Sequence, residues 1–239
     1  MVDNKRPLPS WFNHRNIFYI TIIVLLLSLV TTVGYAFWTL PKVDQLENLQ
    51  LVAASQVYDI NGQLIAKLFE ENRIVVSLND MSPYLIAATI ANEDSRFYKH
   101  FGIDPIGILR ALWVNLRAGT IVQGGSTLTQ QLAKNMFLTQ EQTLIRKIKE
   151  AFLALIIERK FSKEEILQAY LNQSYYGEGA YGVEAGAQVY FGKHARDLDL
   201  AESALLAGIA RGPNIYSPYI NMEAARKRRA VVLDGMVKE

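Results

Sequence analysis

Four groups of residues in this chain carry side chains suited to acid–base work or anion binding, and each also admits a plainer reading. Glu93 extends a helical stripe of Ile86 and Ile90 at offsets 0, 4 and 7, with Thr89 four residues earlier. A carboxylate where a core-facing stripe meets a cleft suits general acid–base work. The plainer role is a solvated acid or a partner for Arg96. The same run holds Asp94, Lys99 and His100 and ends in Gly102 and Asp104–Pro105. The second group runs from Gly124–Gly125 through Ser126 and Thr127 to Gln130, Gln131, Lys134 and Asn135. Thr127, Gln131 and Lys134 share one helix face, flanked by Gln130, while Leu128 and Leu132 take the opposite stripe. Two glycines before a polar face suit an anionic ligand at a helix N-terminus, with Lys134 reaching it from below. An ordinary solvated face gives the same pattern. The nucleotide P-loop is excluded, because the lysine does not directly follow the glycine loop.

The third group is Arg146, Lys147, Lys149 and Glu150. Arg146 and Glu150 stand four apart, the spacing of a surface ion pair. The alternative is a phosphate held by the basic groups while Glu150 supports chemistry. Ile148, Phe152 and Leu155 form an adjoining stripe expected to face the core, which puts Glu150 at its edge. The fourth, Tyr170 to Gly179, mixes aromatic, amide and glycine residues, and suits either a sugar-packing loop or an internal corner. Histidines at 14, 100 and 194 have no metal-binding spacing. The absence of cysteine excludes disulfides, thiolate catalysis and cysteine metal sites.

These residues need helices to hold them. Ser82–Pro83 and Asp104–Pro105 are start signals, each a capping residue with proline at the first helical position. The first opens the Glu93 helix and the second a helix to about Arg117. Ser126 is expected to cap a helix over 127–136, and a long helix is expected from Glu141 to Lys160. Ser162 with Glu165, and Asp199 with Glu202, are capping-box pairs. Gly177, Gly179 and Gly182 mark an irregular stretch before a helix over 183–190, and Asn221 caps a last one toward Val237. Upstream, Val57–Ile60 and Leu64–Leu68 flank Asn61–Gly62, a hairpin signal, and Arg73–Leu78 reads as a further strand.

The chain has 239 residues, half of them hydrophobic, which excludes general disorder and allows one or two domains. Lys5, Arg6 and Arg15 face one acid, Asp3, within residues 1–40, and the rest is charge-balanced. A neutral body argues against nucleic acid as a partner. Ile17 to Leu40 carries no charge. As a helix it reaches roughly 36 Å, enough for a hydrocarbon core of about 30 Å. Tyr19, Tyr35 and Trp38 lie toward its ends, and the basic residues ahead of it predict a cytoplasmic N-terminus. The expected organisation is a cytoplasmic tail (1–16), a transmembrane anchor (17–40), a stalk (41–56) and one exported domain (57–239).

Together the four groups resemble the peptidoglycan glycosyltransferase family, the lysozyme-like domain of class A penicillin-binding proteins and monofunctional transglycosylases. The motifs that carry the resemblance are Glu93-Asp94-Ser95-Arg96-Phe97-Tyr98-Lys99-His100-Phe101-Gly102, Gly125-Ser126-Thr127 to Lys134-Asn135, Arg146-Lys147 with Glu150, and Tyr170-Leu171-Asn172 with Tyr176-Gly177. Tyr190 to Lys193 and Arg211-Gly212-Pro213 look like the family too, and the resemblance covers about 57–236. It implies a mainly α fold, a lysozyme-like helical glycosyltransferase domain with a small N-terminal β element and one transmembrane helix. It also implies transfer of a lipid-diphosphate-linked glycan onto the 4-hydroxyl of lipid II, with inversion, at the outer face of a bacterial membrane. By the same resemblance Glu93 is the base and Glu150 assists the donor side. Ser126, Thr127, Gln130, Gln131, Lys134, Asn135, Arg146 and Lys147 bind substrate. A divalent cation, magnesium or manganese, is expected near the diphosphate without an assigned ligand set, and no organic cofactor is expected. The expected partners are lipid II, the growing glycan, the membrane and other cell-wall synthesis proteins. An apolar stretch dipping into the bilayer is expected within Ile106 to Ile121. No Ser-x-x-Lys or Lys-Thr-Gly occurs in these residues, so they hold no penicillin-sensitive acylation site. A lysozyme-like glycan-cleaving enzyme and a silent scaffold are the alternatives. Cleavage would not need the basic set, and a scaffold would not need both glutamates.

Overall fold

A 25-residue helix, α1 (His14–Trp38), opens the computed structural model, which describes residues 14–41, 55–58, 64–68, 72–120, 122–139, 141 and 143–238. Its mean hydropathy reaches 2.4 and its apolar window is 0% buried, so by length and composition it can cross a membrane. Thr21, Thr31, Thr32 and Thr39 each return their hydroxyl hydrogen to the carbonyl four residues back, which satisfies these polar groups within the helix. Among the described residues its last turns meet the rest of the chain: Ala36 is buried, and the Phe37 ring meets Phe152 edge-to-face at 5.8 Å.

The expected hairpin forms as β1 (Ser55–Tyr58) and β2 (Leu64–Leu68), antiparallel with Ser55 opposite Leu68 and an irregularity after Val57. Its Asn61–Gly62 turn lies outside the described residues, as do residues 1–13 of the expected 1–16 tail and 42–54 of the expected 41–56 stalk; residues 14–16 belong to α1 and 55–56 to β1. The strand expected over Arg73–Leu78 shrinks to β3 (Asn72–Arg73), and its backbone partner lies far along the chain. Side chains claim the remainder. Asn172 accepts from the Val76 N–H and donates to its carbonyl, and Gln168 accepts from the Leu78 N–H.

Next come α2 (Pro83–Glu93) and α3 (Pro105–Ala118). Both start at the expected prolines, but neither Ser82 nor Asp104 caps through its side chain. The Ser82 hydroxyl donates to the Leu198 carbonyl, and Asp104 pairs with Arg96. On α3 only Gly107 and Ala111 are buried, while Leu109, Leu112, Trp113 and Leu116 stand exposed. Core packing therefore does not explain this apolar face.

Helix α4 (Leu128–Phe137) is capped by Thr127, not Ser126, in a full capping box with Gln130. Helix α5 (Leu144–Lys160) starts at the Thr143 cap, past the expected Glu141. The stripe expected to face the core from α5 is displaced: Leu153, Ala154 and Ile157 are buried, whereas Phe152 turns to α1. Helix α6 (Lys163–Gln173) has the predicted Ser162–Glu165 box. Next, β4 (Tyr175–Gly177) and β5 (Ala180–Tyr181) form a hairpin, with β3 parallel to β5. Gly182, at φ +83°, allows the tight approach to Asn172, whose carbonyl would lie 2.8 Å from an added Cβ. Then come α7 (Val183–Phe191), α8 (Leu200–Ala210) with the predicted Asp199–Glu202 box, α9 (Pro213–Tyr216) and α10 (Met222–Lys238). The Asn221 side chain accepts from the Ala224 N–H as the last cap.

The main core joins Leu85, Phe97, Leu128, Leu132, Leu153, Ile157, Ile166 and Leu167, all at or below 2% exposure. A second cluster of Ala88, Ala204, Ala207 and Val232 lets α2, α8 and α10 pack through small residues. Each buried leucine or isoleucine contributes about 1.5–3 kcal/mol, against about 1 kcal/mol for a cap. Burial thus holds the walls together, and the caps decide where each helix ends.

Candidate active site

Two adjoining cavities, of about 450 and 220 Å³, share Glu93, Gly124, Ser126 and Arg211 in their linings. They form one cleft with Glu93 at the junction. The smaller part adds Gln131, Lys134, Lys147 and Glu150. The larger runs past Asp94, Asp104 and Arg110 to Lys238. The sequence is folded here so that the last residue of α2, one face of α4 and the first turns of α5 converge.

Glu93 ends α2, and Asp94 leaves the helix at φ −159°. One Glu93 carboxylate oxygen accepts from Asn92 Nδ2 at 2.7 Å, the other from Gln131 Nε2 at 2.9 Å. Behind it lie two fully buried phenols, Tyr170 and Tyr176. Burial, and then the negative charge of Glu93, push both well above the ordinary tyrosine range. They stay neutral, and the Tyr170 hydroxyl donates to Gln131 Oε1 at 3.4 Å. The 170–179 block is therefore mainly an internal corner, with Tyr170, Asn172 and Tyr176 buried and Tyr175 exposed.

Glu150 is 1% exposed, and its two oxygens accept from Arg146 and from Lys147, the latter at 2.6 Å. Lys147 also donates to Ser126 Oγ at 2.8 Å, tying α5 to the glycine loop. Arg146 does not line the cleft; it binds Glu150 and the Glu141 carbonyl. Lys134 lines the cleft, and its ammonium group makes no hydrogen bond or ion pair with a described residue. Its pKa is held below the ordinary lysine value by burial first and Arg146 second, while Glu93 acts the other way. Lys147 is lowered by burial, then by Arg146 and Lys134.

The start of α4 is not open to an anion, contrary to the sequence expectation. Asp94 already accepts from the Leu128 N–H at 3.0 Å, and Thr127 Oγ1 from the Gln130 N–H. Asp94 also takes His100 Nε2, and both side chains are buried. The Thr127 hydroxyl donates to the Gly102 carbonyl at 2.6 Å, and the Gln130 side chain closes the cap. Gly102, at φ +82°, permits this because an added Cβ would meet Ala154 backbone at 2.9 Å. Of the expected substrate-binding residues, Ser126, Gln131, Lys134 and Lys147 line the smaller cavity and Thr127 the larger. Gln130 is buried in the cap, and Asn135 is exposed away from the cleft.

Arg211, at the end of α8, lines both cavities, and no local pattern marked it as part of this site. Its only signal was the Arg211-Gly212-Pro213 turn.

A transglycosylase family model matches residues 61–237. The chain is 50% identical over 218 residues to penicillin-binding protein 1A of Aquifex aeolicus, covering 91% of this chain and 30% of that protein. To penicillin-binding protein 1A of Vibrio cholerae it is 45% identical over 228 residues, covering 94% and 28%. It therefore spans less than a third of the length of these relatives. A crystal structure of penicillin-binding protein 1A from Haemophilus influenzae aligns over 79% of this chain and 18% of that one. The identity is 26% and the TM-score 0.41, a superposition too loose to bear on the fold.

Proposed function

Because the chain belongs to the transglycosylase family, we propose that this cleft polymerises lipid II into β-1,4 glycan strands and releases undecaprenyl diphosphate. The observation that carries the reading is the meeting of Glu93 in one cleft with Lys134 and Arg211, whose side chains make no ion pair among the described residues. Glu93 takes the proton of the acceptor 4-hydroxyl as that oxygen bonds to the donor C1. The C1–O bond to the diphosphate breaks on the opposite face, with inversion. The leaving group is already anionic, so it needs positive charge rather than a protonating acid. Lys134, Lys147 and Arg211 supply that charge, and Glu150 holds Lys147 and Arg146 in place.

The protein side chains do not fit a protein-held divalent cation. Among the described residues no three His, Asp or Glu side chains cluster. Both oxygens of Glu150 are taken by cations, and both of Glu93 by amides.

Purified protein given lipid II in detergent tests the reading. Long glycan with released undecaprenyl diphosphate is the expected result. Shortening of supplied glycan would mean a cleaving enzyme, and neither outcome would leave a scaffold.

The membrane setting is part of the proposal. We place α1 across the bilayer, with the exposed apolar face of α3 against its outer surface and the domain outside the cytoplasm. A reporter active only outside the cytoplasm, fused after Glu239, is expected to be active. Activity of a cytoplasm-only reporter at that site would overturn the orientation.

A further inference from the structure

Neighbouring side chains on a helix do not normally face each other, yet Asn92 and Glu93 are hydrogen-bonded. They can meet because α2 stops at Glu93 and the chain turns away at Asp94. The Asn92 amide is itself fixed from two other helices. Its Nδ2 also donates to the Ala207 carbonyl of α8 at 3.2 Å, and its Oδ1 accepts from the Arg228 guanidinium of α10. Arg228 reaches this point by crossing α8 at Gly208, where an added Cβ would come within 3.0 Å of Arg228 Cγ. Its guanidinium lies over the Tyr216 ring at 5.6 Å, and its Nε, buried, has no hydrogen-bond partner among the described residues. A half-buried cation therefore spends a donor on a neutral amide one residue from Glu93.

We infer that Asn92, clamped by Arg228, is a positioning residue for Glu93. The inference rests on reading Glu93 as the base. A carboxylate has about four lone-pair sites. Asn92 and Gln131 occupy one on each oxygen from opposite sides, which fixes the plane of the group. The remaining lone pairs keep one direction relative to the acceptor hydroxyl. Without the Asn92 arm the carboxylate can turn about the Gln131 contact, and orientation errors of this kind cost about 10- to 100-fold in rate. Asn92 also lines the larger cavity, so a loss confined to kcat marks action through Glu93, whereas a rise in KM would mark a direct substrate contact and overturn the inference.

Asn92→Asp separates positioning from packing. It keeps the side-chain shape and strengthens the tie to Arg228, but replaces the N–H donor facing Glu93 with a charged oxygen that also disfavours the Glu93 carboxylate, so Asn92→Ala, which adds no charge, is measured beside it and must show the same fall. With lipid II as substrate, kcat should fall by about 10- to 100-fold, with KM within about twofold. A kcat within twofold of the unaltered protein overturns the inference. If Asn92→Asp fails to fold by circular dichroism, the pair Asn92→Ala and Arg228→Met decides. Should Arg228 act through Asn92, the double variant is no slower than Asn92→Ala alone. Losses that multiply would overturn that link. Glu93→Gln measured alongside keeps the two readings apart. Near-normal turnover there removes the base, and the positioning role with it. A dead Glu93→Gln beside a fully active Asn92→Asp removes only the positioning role.

Discussion

Glu93→Gln is expected to lower turnover of lipid II by roughly 10²–10⁴, the range for a positioned acid–base group. The substitution keeps the side-chain length and lets one of the two amides continue donating. The other would face an NH₂ group. Gln131 can answer by turning its amide over, at the expense only of its 3.4 Å contact with Tyr170. Folding should therefore survive, with an unfolding midpoint close to that of the parent protein. The measurement is initial rate across lipid II concentrations, together with a thermal melt. A Glu93→Gln protein that polymerises at near the parent rate would sink the assignment of the base.

Lys134→Ala should lower kcat by about 10², because a charge aimed at a leaving group in a sheltered site is worth about 3 kcal/mol. The contact strengthens as charge develops on the leaving oxygen, so the effect falls on kcat rather than on KM alone. A phosphate-bearing glycolipid inhibitor should bind this variant more weakly. Arg146→Ala makes the contrast, since Arg146 touches Glu150 and not the cleft. It should leave inhibitor affinity nearly unchanged while disturbing Glu150. The pH profile adds a second readout. Lys134 must be protonated to act, and its pKa lies below the ordinary value, so the alkaline limb of kcat/KM falls earlier than an ordinary lysine would allow. Removing Arg146 takes away one cause of the lowering, and the limb should move to higher pH. Unchanged turnover and inhibitor affinity in Lys134→Ala would take the diphosphate off this wall.

What was legible in the sequence was mostly local. The Ser162–Glu165 and Asp199–Glu202 boxes act over three residues, and both helix starts stand where expected. The true cap of α4 was legible too, since Thr127 has Gln130 three residues on and Ser126 has only Thr129. What failed was long-range. Residues 76–78 look like strand, but Leu78 already starts a 3₁₀ turn, and the backbone N–H groups of Val76 and Leu78 go to amides of α6 rather than to a strand. A glycine-led helix start looks open to anions, and nothing local says that Asp94 fills it. Glu93, Lys134 and Glu150 could be singled out because each sits on a patterned helix. Arg211 and the Asn92–Arg228 arm could not, because only the packing of α2, α8 and α10 brings them to the cleft.

The contact between Phe37 and Phe152 has a consequence for how the enzyme meets its substrate. Glu150 precedes Phe152 by two residues, about 3 Å along the helix axis. If α1 lies in the bilayer as proposed, the height of the cleft follows from the packing of its last turns on α5, the Phe37–Phe152 ring pair included. On the proposed function, a lipid-borne monomer would present its sugar at one depth, and the search for each new unit would become lateral diffusion in a sheet instead of wandering through a volume. Confinement of both partners to that sheet raises their effective concentration without any added contact. Loosening the ring pair should therefore slow polymerisation at low lipid density more than at saturation.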